Sequence, residues 1–382
     1  MRVLCHAQHL SGIGHFVRMH AIAKGLADAH DVVLVDGGRP VPRARGHGPR
    51  RLPLPRLARR EGRLCAGPGG SVEDALGERA ARLAEAASKL RPDVVLVDHY
   101  PFSKWELERE IAAAAEAARR ARPGVRVLCS LRDVVRRTRF EDASQADFEA
   151  SVLERLGAHF DGVLVHADPA FTRIEDHFGR AAELPVPVHY TGFVQEVSGA
   201  TRVRPDGRIA VLSCGGGARS VSFLSAAIAG FRRLASGEAR GALELQVFPG
   251  PSPSADETRA LRAAARGGPV RLRAFSPDFA GWLRASELSI SRAGYNTTVQ
   301  LLAAGVRAVV VPDPDMSDQA WRARRLAELG LATAVLGAPA DAAAIAAALA
   351  EAWAGPRPPA HGLDLDGVGG TRALLEAGEA GT

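Results

Sequence analysis

Short apolar runs alternate with stretches of helical periodicity along most of this chain, and this alternation limits the folds open to it. In the first half the strand-like runs are Arg2–Ala7, Asp31–Val35, Asp93–Val97, Val125–Ser130 and Gly162–Val165. Strands that alternate with helices are typical of a parallel sheet in which both faces are covered. We therefore predict an α/β fold with a doubly wound parallel sheet.

The same alternation restarts in the second half. Its strand-like runs are Ile209–Ser213, Leu243–Phe248, Val270–Ala274, Glu287–Ile290 and Val306–Val311. A polar stretch with proline and glycine, residues 197–207, separates the two halves and is typical of a linker. We predict two domains, residues 1–196 and 208–382. The last residues of the chain are predicted to form a helix that packs back on the first domain. Residues 41–70, rich in proline, glycine and arginine, are predicted to form a long loop outside the core.

The composition and charge exclude one class of partner and favour another. With 382 residues, 46% of them hydrophobic and 24% charged, the chain is long enough for two domains with separate cores. A net charge of +6 suits an anionic partner such as a nucleotide. The basic residues are scattered, however, and no basic stretch is interleaved with aromatic residues, so binding of nucleic acid is not predicted.

No spacing in the sequence indicates a metal site, a leader or a membrane span. The four cysteines lie far apart, at positions 5, 65, 129 and 214, without a CxxC or Cys/His pattern. Residues 313–315 read Asp-Pro-Asp, a DxD pattern, but they fall in a turn after a late strand and we do not assign them to a metal. The N-terminus enters a strand directly and no apolar run approaches the ~20 residues of a membrane span. We expect reduced thiols in a cytoplasmic protein.

Residues 291–300, Ser-Arg-Ala-Gly-Tyr-Asn-Thr-Thr-Val-Gln, carry the strongest functional signal. A strand-like run leads into Gly294, and an amphipathic helix follows it. Where a helix starts after a strand and a glycine turn, its first N–H groups and its dipole attract a phosphate. Asn296 and Thr297 would add side-chain donors at the same point. An ordinary capped helix is the alternative interpretation.

A second glycine loop follows the first strand-like run of the second half. The residues that would face a phosphate there are Gly215, Gly216, Gly217 and Arg219. They offer backbone amides and one cation near a helix start, and a plain tight turn is the alternative. With two such loops, we predict that neither a metal nor a cofactor is required.

Polar residues also follow the strand-like runs of the first half, where the carboxyl ends of parallel strands bind ligands. They are Gly12, Gly14, His15, Asp98, Arg132 and His166. The histidine at position 15 starts the first long helix, and an imidazole there could accept a proton near neutral pH. The alternative interpretation is that this histidine only caps the helix. Arg132 and His166 are interpreted either as lining an acceptor site or as satisfying loop carbonyls. The glycine pair also resembles a dinucleotide fingerprint, but Val17 occupies the third glycine position.

Several of these segments together resemble the nucleotide-sugar box of GT-B glycosyltransferases. The resemblance rests on Gly294-Tyr-Asn-Thr, on Gln300 and on the pair Asp318-Gln319. Residues 8–15, Gln-His-Leu-Ser-Gly-Ile-Gly-His, resemble the opening segment of bacterial MurG-like predicted glycosyltransferases. The resemblance covers nearly the whole chain and implies a GT-B fold, in which two Rossmann-like doubly wound domains face each other across a cleft.

The resemblance also implies roles for single residues. His15 matches a glycine-loop histidine that lies at the acceptor hydroxyl, and Asp98 matches the carboxylate that pairs with it. On the donor side it implies base stacking, ribose binding and sugar binding by Phe275, Gln300, Asp318 and Gln319. Many family members have glutamate where Gln300 stands, so ribose binding is expected to be weaker and a deoxyribonucleotide donor is left open.

Combined, these expectations describe a metal-independent glycosyltransferase of the hexosyltransferase type, bacterial and cytoplasmic. It would move a sugar, with inversion, from a nucleoside-diphosphate sugar, UDP being favoured, to a hydroxyl of a small-molecule or lipid-linked acceptor. A nucleotide-sugar epimerase or hydrolase of the same fold and a non-catalytic sugar-nucleotide-binding subunit are the alternatives. Residues 101–105, which are apolar and basic, have two interpretations: a peripheral contact with a membrane surface, or a buried aromatic pair. No oligomeric state is predicted.

Overall fold

The computed structural model forms two compact units. It describes residues 1–10, 12–39, 41, 48–60, 62–135, 144–196, 203–215, 221–236, 243–250, 253–276, 278–337 and 340–378. The first unit contains the described residues within 1–40, 45–196 and 363–382, and the second contains those within 41–44 and 197–362. Residues 363–378 therefore lie in the first unit.

The first unit is built on a seven-stranded sheet whose paired strands all run parallel. The strands of this unit are β1 (Arg2–Ala7), β2 (Asp31–Asp36), β3 (Arg50–Pro53), β4 (Leu57–Arg60), β5 (Arg63–Ala66), β6 (Val94–Asp98), β7 (Arg126–Leu131), β8 (Gly162–Val165) and β9 (Val188–Tyr190). The sheet order is β3-β2-β1-β6-β7-β8-β9, and β4 and β5 form a separate antiparallel hairpin. The helices are α1 (Gly14–Leu26), α2 (Val72–Leu90), α3 (Glu108–Ala121) and α4 (Gln145–His159).

The prediction of a long loop over residues 41–70 is wrong for the part that the structure describes. β3 extends the sheet beside β2, with Leu34 opposite Arg51, and Leu54 and Leu57 are buried. The pattern of an edge strand is hard to recognise because three of the four side chains of β3 are exposed. Pro53 is tolerated there because an edge strand leaves one row of N–H groups unpaired. Residues 42–47 lie outside the described residues.

The second unit repeats the parallel architecture with a six-stranded sheet. Its strands are β10 (Ile209–Ser213), β11 (Glu244–Phe248), β12 (Val270–Leu272), β13 (Leu288–Ser291), β14 (Arg307–Val310) and β15 (Thr333–Ala334), in the order β12-β11-β10-β13-β14-β15. Its helices are α5 (Val221–Ala235), α6 (Ala255–Ala265), α7 (Phe279–Ala285), α8 (Tyr295–Ala304), α9 (Ser317–Glu328) and α10 (Ala342–Ala354). Helices α5 and α10 cover the sheet with an apolar core that includes Leu212, Phe231 and Leu349.

The strand order of each sheet fixes where a ligand site can form. In the first sheet, the strands that follow β1 are added on one side of it up to β3, and β6 then starts the other side. In the second sheet, β11 and β12 lie on one side of β10, and β13 starts the other side. At such a switch point the loops after the two central strands diverge to opposite faces and leave a crevice beyond their carboxyl ends. The two predicted sites follow these strand pairs. Among the described residues, no helix is both long and apolar enough to cross a bilayer.

The last helix, α11 (Gly367–Ala377), packs on α1 of the first unit. Its glycines allow a close approach to the backbone. A Cβ atom on Gly370 would lie 2.2 Å from the carbonyl oxygen of Thr191, and one on Gly367 would lie 2.4 Å from that of Gly192. Arg126 donates a hydrogen bond of 2.5 Å to the carbonyl of Leu375.

We expect Gly370→Ala to destabilise the docking of α11 by about 1–3 kcal/mol, because the added methyl group overlaps a carbonyl that cannot rotate away. Hydrogen exchange of the α11 amides measures this effect. The control is Gly77→Ala in α2, where the nearest heavy atom lies 3.9 Å from the added Cβ and no loss is expected. Unchanged protection of α11 in Gly370→Ala would contradict the packing described here.

Candidate functional site

The first candidate site lies at the switch point of the first sheet. Asp98 is the last residue of β6 and is buried, and His15 is the second residue of α1. Nδ1 of His15 lies 3.2 Å from one carboxylate oxygen of Asp98 and 3.0 Å from the other. The side chain of His15 remains 20% exposed, so the ring can be reached from outside. The structure thus brings together the two residues to which the resemblance assigned catalysis.

Two cations that were not predicted share the carboxylate of Asp98. Arg18 donates a hydrogen bond of 2.6 Å to Oδ1, and a second of 2.9 Å to the carbonyl of Ser130. Lys104 contacts Oδ2 through its ammonium group, which also lies 3.4 Å from Nδ1 of His15. The position of Arg18, three residues after His15 on one helix face, could have been recognised from the sequence. Lys104 has no such local signal.

These contacts set the protonation of both central groups. Burial alone would raise the pKa of Asp98, but Lys104, His15 and Arg18 hold it well below its usual range, so the carboxylate is ionised. Burial, with help from Lys104 and Arg132, lowers the pKa of His15 to about 3, although Asp98 opposes the shift. The imidazole is therefore neutral near pH 7. Because Nδ1 faces an ionised carboxylate, the favoured tautomer carries its proton on Nδ1 and leaves Nε2 as a proton acceptor.

The remaining acceptor-side candidates have different surroundings. His166 is fully buried, with Nε2 2.7 Å from the hydroxyl of Ser130 and Nδ1 2.7 Å from that of Thr191. An acceptor-side role does not fit this position, because both ring nitrogens are engaged inside the protein. Arg132 follows β7, is partly exposed, and lowers the pKa of His15. Gly12 lies in the bend before α1 and Gly14 is the first residue of α1.

The second candidate site lies at the switch point of the second sheet. Gly294 is the N-cap residue of α8 and places no side chain over the first turn. Asn296 is partly exposed in that turn, Thr297 is buried, and Gln300 is partly exposed one turn later. The backbone therefore presents the start of α8 with two polar side chains beside it, as the phosphate-site interpretation requires.

The first residue of the predicted glycine loop lies next to this helix start. Gly215 follows β10 with φ of +72°, a left-handed conformation that favours glycine. A Cβ atom on it would lie 3.9 Å from the hydroxyl of Thr297, so the end of β10 and the start of α8 are neighbours. Gly216, Gly217 and Arg219 lie outside the described residues.

The predicted pair Asp318 and Gln319 lies in the first turn of α9, where both side chains bond to protein groups. Asp318 forms an ion pair of 2.6 Å with Arg322, a fully buried residue that also donates to the carbonyl of Ala293 at 3.0 Å. The side-chain oxygen of Gln319 accepts from the N–H of Asp313 at 3.1 Å. Arg322, which was not predicted, therefore ties α9 to the turn that begins α8.

Phe275 lies between β12 and α7, at the carboxyl edge of the second sheet, and is 38% exposed. Exposure of a large aromatic side chain is suited to stacking on a flat ligand such as a base. Arg292 lies in the turn between β13 and α8, and its guanidinium donates to the carbonyls of Val311 and Pro312, which follow β14, at 3.2 and 2.8 Å.

Two further interpretations of the sequence can be compared with the structure. In the segment 101–105, Phe102 is fully buried and Trp105 stacks on Phe148, with ring centroids 5.7 Å apart. This fits the buried aromatic pair rather than a membrane contact. In the DxD segment, Asp313 accepts a hydrogen bond of 3.0 Å from the N–H of Asp315. Within the described ranges, no group of three or more His, Cys, Asp or Glu residues could hold a metal ion.

One family model matches part of the chain. Residues 211–359 match the glycosyltransferase family 28 C-terminal domain. The matched region contains the second candidate site, from Gly215 to Gln319. A search of curated proteins finds no match.

Solved structures match the whole chain at low sequence identity. Spinosyn forosaminyltransferase SpnP is 15% identical, with a TM-score of 0.63 over 99% of this chain and 94% of that chain. UDP-GlcNAc 2-epimerase from Methanocaldococcus jannaschii is 10% identical, with a TM-score of 0.63 over 99% of this chain and 100% of that chain. MurG from Acinetobacter baumannii is 16% identical, with a TM-score of 0.51 over 99% and 100%. Likeness at these identities shows the fold alone, and the predicted GT-B fold is confirmed.

Proposed function

We propose that this protein is a glycosyltransferase that moves a sugar from a nucleoside-diphosphate sugar to an acceptor hydroxyl, without a metal ion and with inversion. The second unit would bind the donor, with UDP as the favoured nucleotide, and the first unit would bind the acceptor. The acceptor would be a small molecule or a lipid-linked molecule, as the resemblance of the sequence to MurG-like glycosyltransferases implies.

The observation that carries the proposal is the contact between His15 and Asp98 at the switch point of the first sheet, with distances of 3.0 and 3.2 Å. A neutral imidazole whose Nδ1 faces a carboxylate can accept a proton at Nε2, and the carboxylate stabilises the imidazolium that forms. The proton would come from the acceptor hydroxyl, whose oxygen then attacks the anomeric carbon. The bond from that carbon to the diphosphate breaks, and the nucleoside diphosphate leaves with its electron pair.

The donor side supports the proposal independently. The match to the family 28 C-terminal domain covers both loops at the switch point of the second sheet. The N–H groups at the start of α8 and the backbone after β10 are suited to the developing charge of the diphosphate. Asn296 is the only asparagine among the 382 residues, and it stands in the first turn of that helix.

An epimerase or hydrolase is the second candidate, because the solved structures that share the fold include a UDP-GlcNAc 2-epimerase. The two reactions differ in what they consume. A transferase releases nucleoside diphosphate rapidly only when an acceptor is present, whereas a hydrolase or epimerase acts on the sugar nucleotide alone. Incubation with UDP- and dTDP-sugars, with and without candidate acceptor alcohols, separates them. Consumption that never depends on an acceptor would overturn the transferase assignment.

Binding of a nucleotide can be tested before any acceptor is known. We expect UDP or another nucleoside diphosphate to raise the melting temperature, since a ligand at 100 times its Kd stabilises the folded state by about 2.7 kcal/mol. Asn296→Ala removes one hydrogen bond to a charged ligand and is expected to weaken Kd about tenfold or more. Thermal shift over a series of nucleotide concentrations gives both values.

The matched control is Gln145→Ala, which removes an amide from the first residue of α4 in the first unit. The nucleotide response of this variant is expected to equal that of the wild type. If no nucleotide raises the melting temperature, or if Asn296→Ala binds as tightly as the control, the donor site is not at the start of α8.

A further inference from the structure

Lys104 is the least expected member of the His15–Asp98 site. Three of the 49 basic residues in the chain are lysines, at positions 24, 89 and 104, and all others are arginines. Two of these lysines have ordinary surroundings: Lys24 is exposed on α1, and Lys89 is 77% exposed on α2. Lys104 is 7% exposed. The chain uses arginine for nearly all its basic residues, yet it has a lysine at this buried position.

The charge balance around Asp98 does not require this lysine. Arg18 is fully buried and already forms an ion pair with Oδ1 at 2.6 Å. A second buried cation on the same carboxylate carries its own desolvation cost, so its contribution to stability is small or unfavourable. A buried ammonium group with its own desolvation cost, placed beside a candidate catalytic pair, indicates a functional role.

The backbone near Lys104 is also in an unfavourable conformation. Lys104 has φ of +65° and His99, in the same connection, has φ of +68°. Left-handed conformations of this kind are costly for residues with a Cβ atom and are concentrated at functional sites. They direct the ammonium group to a point where it contacts Oδ2 of Asp98 and lies 3.4 Å from Nδ1 of His15.

We propose that Lys104 is a positioning residue of the reaction proposed above: its ammonium group holds the carboxylate of Asp98 against Nδ1 of His15 and keeps the imidazole neutral until the acceptor proton arrives. The compact ammonium fits between a carboxylate and an imidazole, whereas the planar guanidinium of arginine binds in a fork. Repulsion between the ammonium and a protonated ring disfavours protonation before the acceptor binds, whereas the carboxylate of Asp98 stabilises the imidazolium once it has formed.

Other charged groups act on the same imidazole and remain in place when Lys104 is replaced. Asp98 of β6 raises the pKa of His15, whereas Arg132, after β7, lowers it. His99 packs edge-on against the ring, with centroids 5.2 Å apart, and Arg18 lies one turn further along α1. Removing Lys104 therefore removes one repulsive charge and leaves the attractive one.

The test compares Lys104→Met, Lys104→Gln and Lys104→Arg with the wild type by ¹⁵N NMR titration of His15, with the signal assigned from a His15→Gln sample. In the two uncharged variants we expect the pKa of His15 to rise by about one pH unit or more, from Coulomb repulsion at this distance. The arginine variant should keep the low pKa. Lys89→Met is the control and should leave the titration unchanged.

The same variants are then assayed for sugar transfer as a function of pH. Because the base must be unprotonated, a higher pKa of His15 moves the acidic limb of kcat/KM to higher pH in Lys104→Met and Lys104→Gln. A lysine with a purely structural role would lower the rate or the melting temperature without moving this limb. An unchanged titration of His15, or loss of the fold in both uncharged variants, would overturn the proposal.

The NMR titration needs no substrate, so the two proposals can fail separately. If the pKa of His15 shifts as expected but the wild type consumes no sugar nucleotide, the proposed function fails, while the electrostatic effect of Lys104 on His15 is confirmed. If the wild type transfers sugar and the titration of His15 is unmoved, only the assignment of Lys104 fails.

Discussion

Replacement of His15 by alanine is expected to lower kcat/KM for sugar transfer by about 10²- to 10⁴-fold, the range that general-base catalysis contributes. The loss should fall on kcat rather than on KM of the donor, because the nucleotide is expected to bind in the other unit. Steady-state kinetics with a sugar nucleotide and an active acceptor measure the effect.

His15→Ala is a cleaner test than a replacement of Asp98. Loss of the carboxylate would leave Arg18 and Lys104 buried without their anion, so that stability and catalysis would change together. His189→Ala, at an exposed position on β9, is the control and should retain full activity. Activity of His15→Ala within a few-fold of the wild type would show that another group removes the proton.

Replacement of Glu110 by glutamine is expected to destabilise the first unit by about 3–5 kcal/mol, the usual cost of breaking a fully buried ion pair. Glu110 of α3 accepts from Arg79 of α2 at 2.5 and 2.6 Å, and from His6 of β1 at 2.7 Å. The three side chains link two helices to the central strand. Denaturant unfolding followed by hydrogen exchange of peptides from α2 and α3 measures the change in the first unit alone.

This contribution should depend on pH in a defined direction. Burial opposes ionisation of Glu110, but the hydrogen bonds and charges of His6 and Arg79 lower its pKa from 4.5 to about 2. A carboxyl with a lowered pKa stabilises the fold above its unfolded value and loses that effect as pH falls. The difference in unfolding free energy between wild type and Glu110→Gln should therefore shrink as pH falls from 4.5 towards 2.

The control for this prediction is Glu85→Gln, on the exposed face of α2, where the carboxylate pairs with Lys89. A solvent-exposed pair of this kind contributes little, so no measurable change is expected. Equal stability of Glu110→Gln and Glu85→Gln would mean that the buried cluster is replaceable.

The accuracy of the predicted strands depends on where each strand lies in its sheet. The central strands β1 and β10 and the interior strand β8 have the predicted bounds, Arg2–Ala7, Ile209–Ser213 and Gly162–Val165. Their side chains are buried on both faces, so they read as continuous apolar runs. Among the edge strands, β12 was predicted from its first residue, whereas β3 and β9 were missed, because short strands with exposed side chains lose that signal.

The residues of the first candidate site also divide into those that the sequence analysis placed correctly and those that it missed. Spacing along the chain and the resemblance placed His15 and Asp98 at the ends of two central elements, and the structure brings them into contact. The buried position of His166 was not recognised, because nothing local indicates that Ser130 and Thr191 close around its ring. The cation beside Asp98 contributed by Lys104 was missed because a left-handed backbone turn cannot be inferred from the neighbouring residue types.

The sequence alone determined most of the alternation of strands and helices along the chain, and with it the parallel sheets and the strand ends at which ligands are expected to bind. Hydrophobic periodicity and glycine turns are local properties, and a few neighbouring residues suffice to encode them. Tertiary structure decided which polar groups share one buried point: Arg18, Asp98 and Ser130 meet because β6 inserts between β1 and β7. Such convergence depends on strand order and helix rotation over about a hundred residues, and no local pattern specifies either.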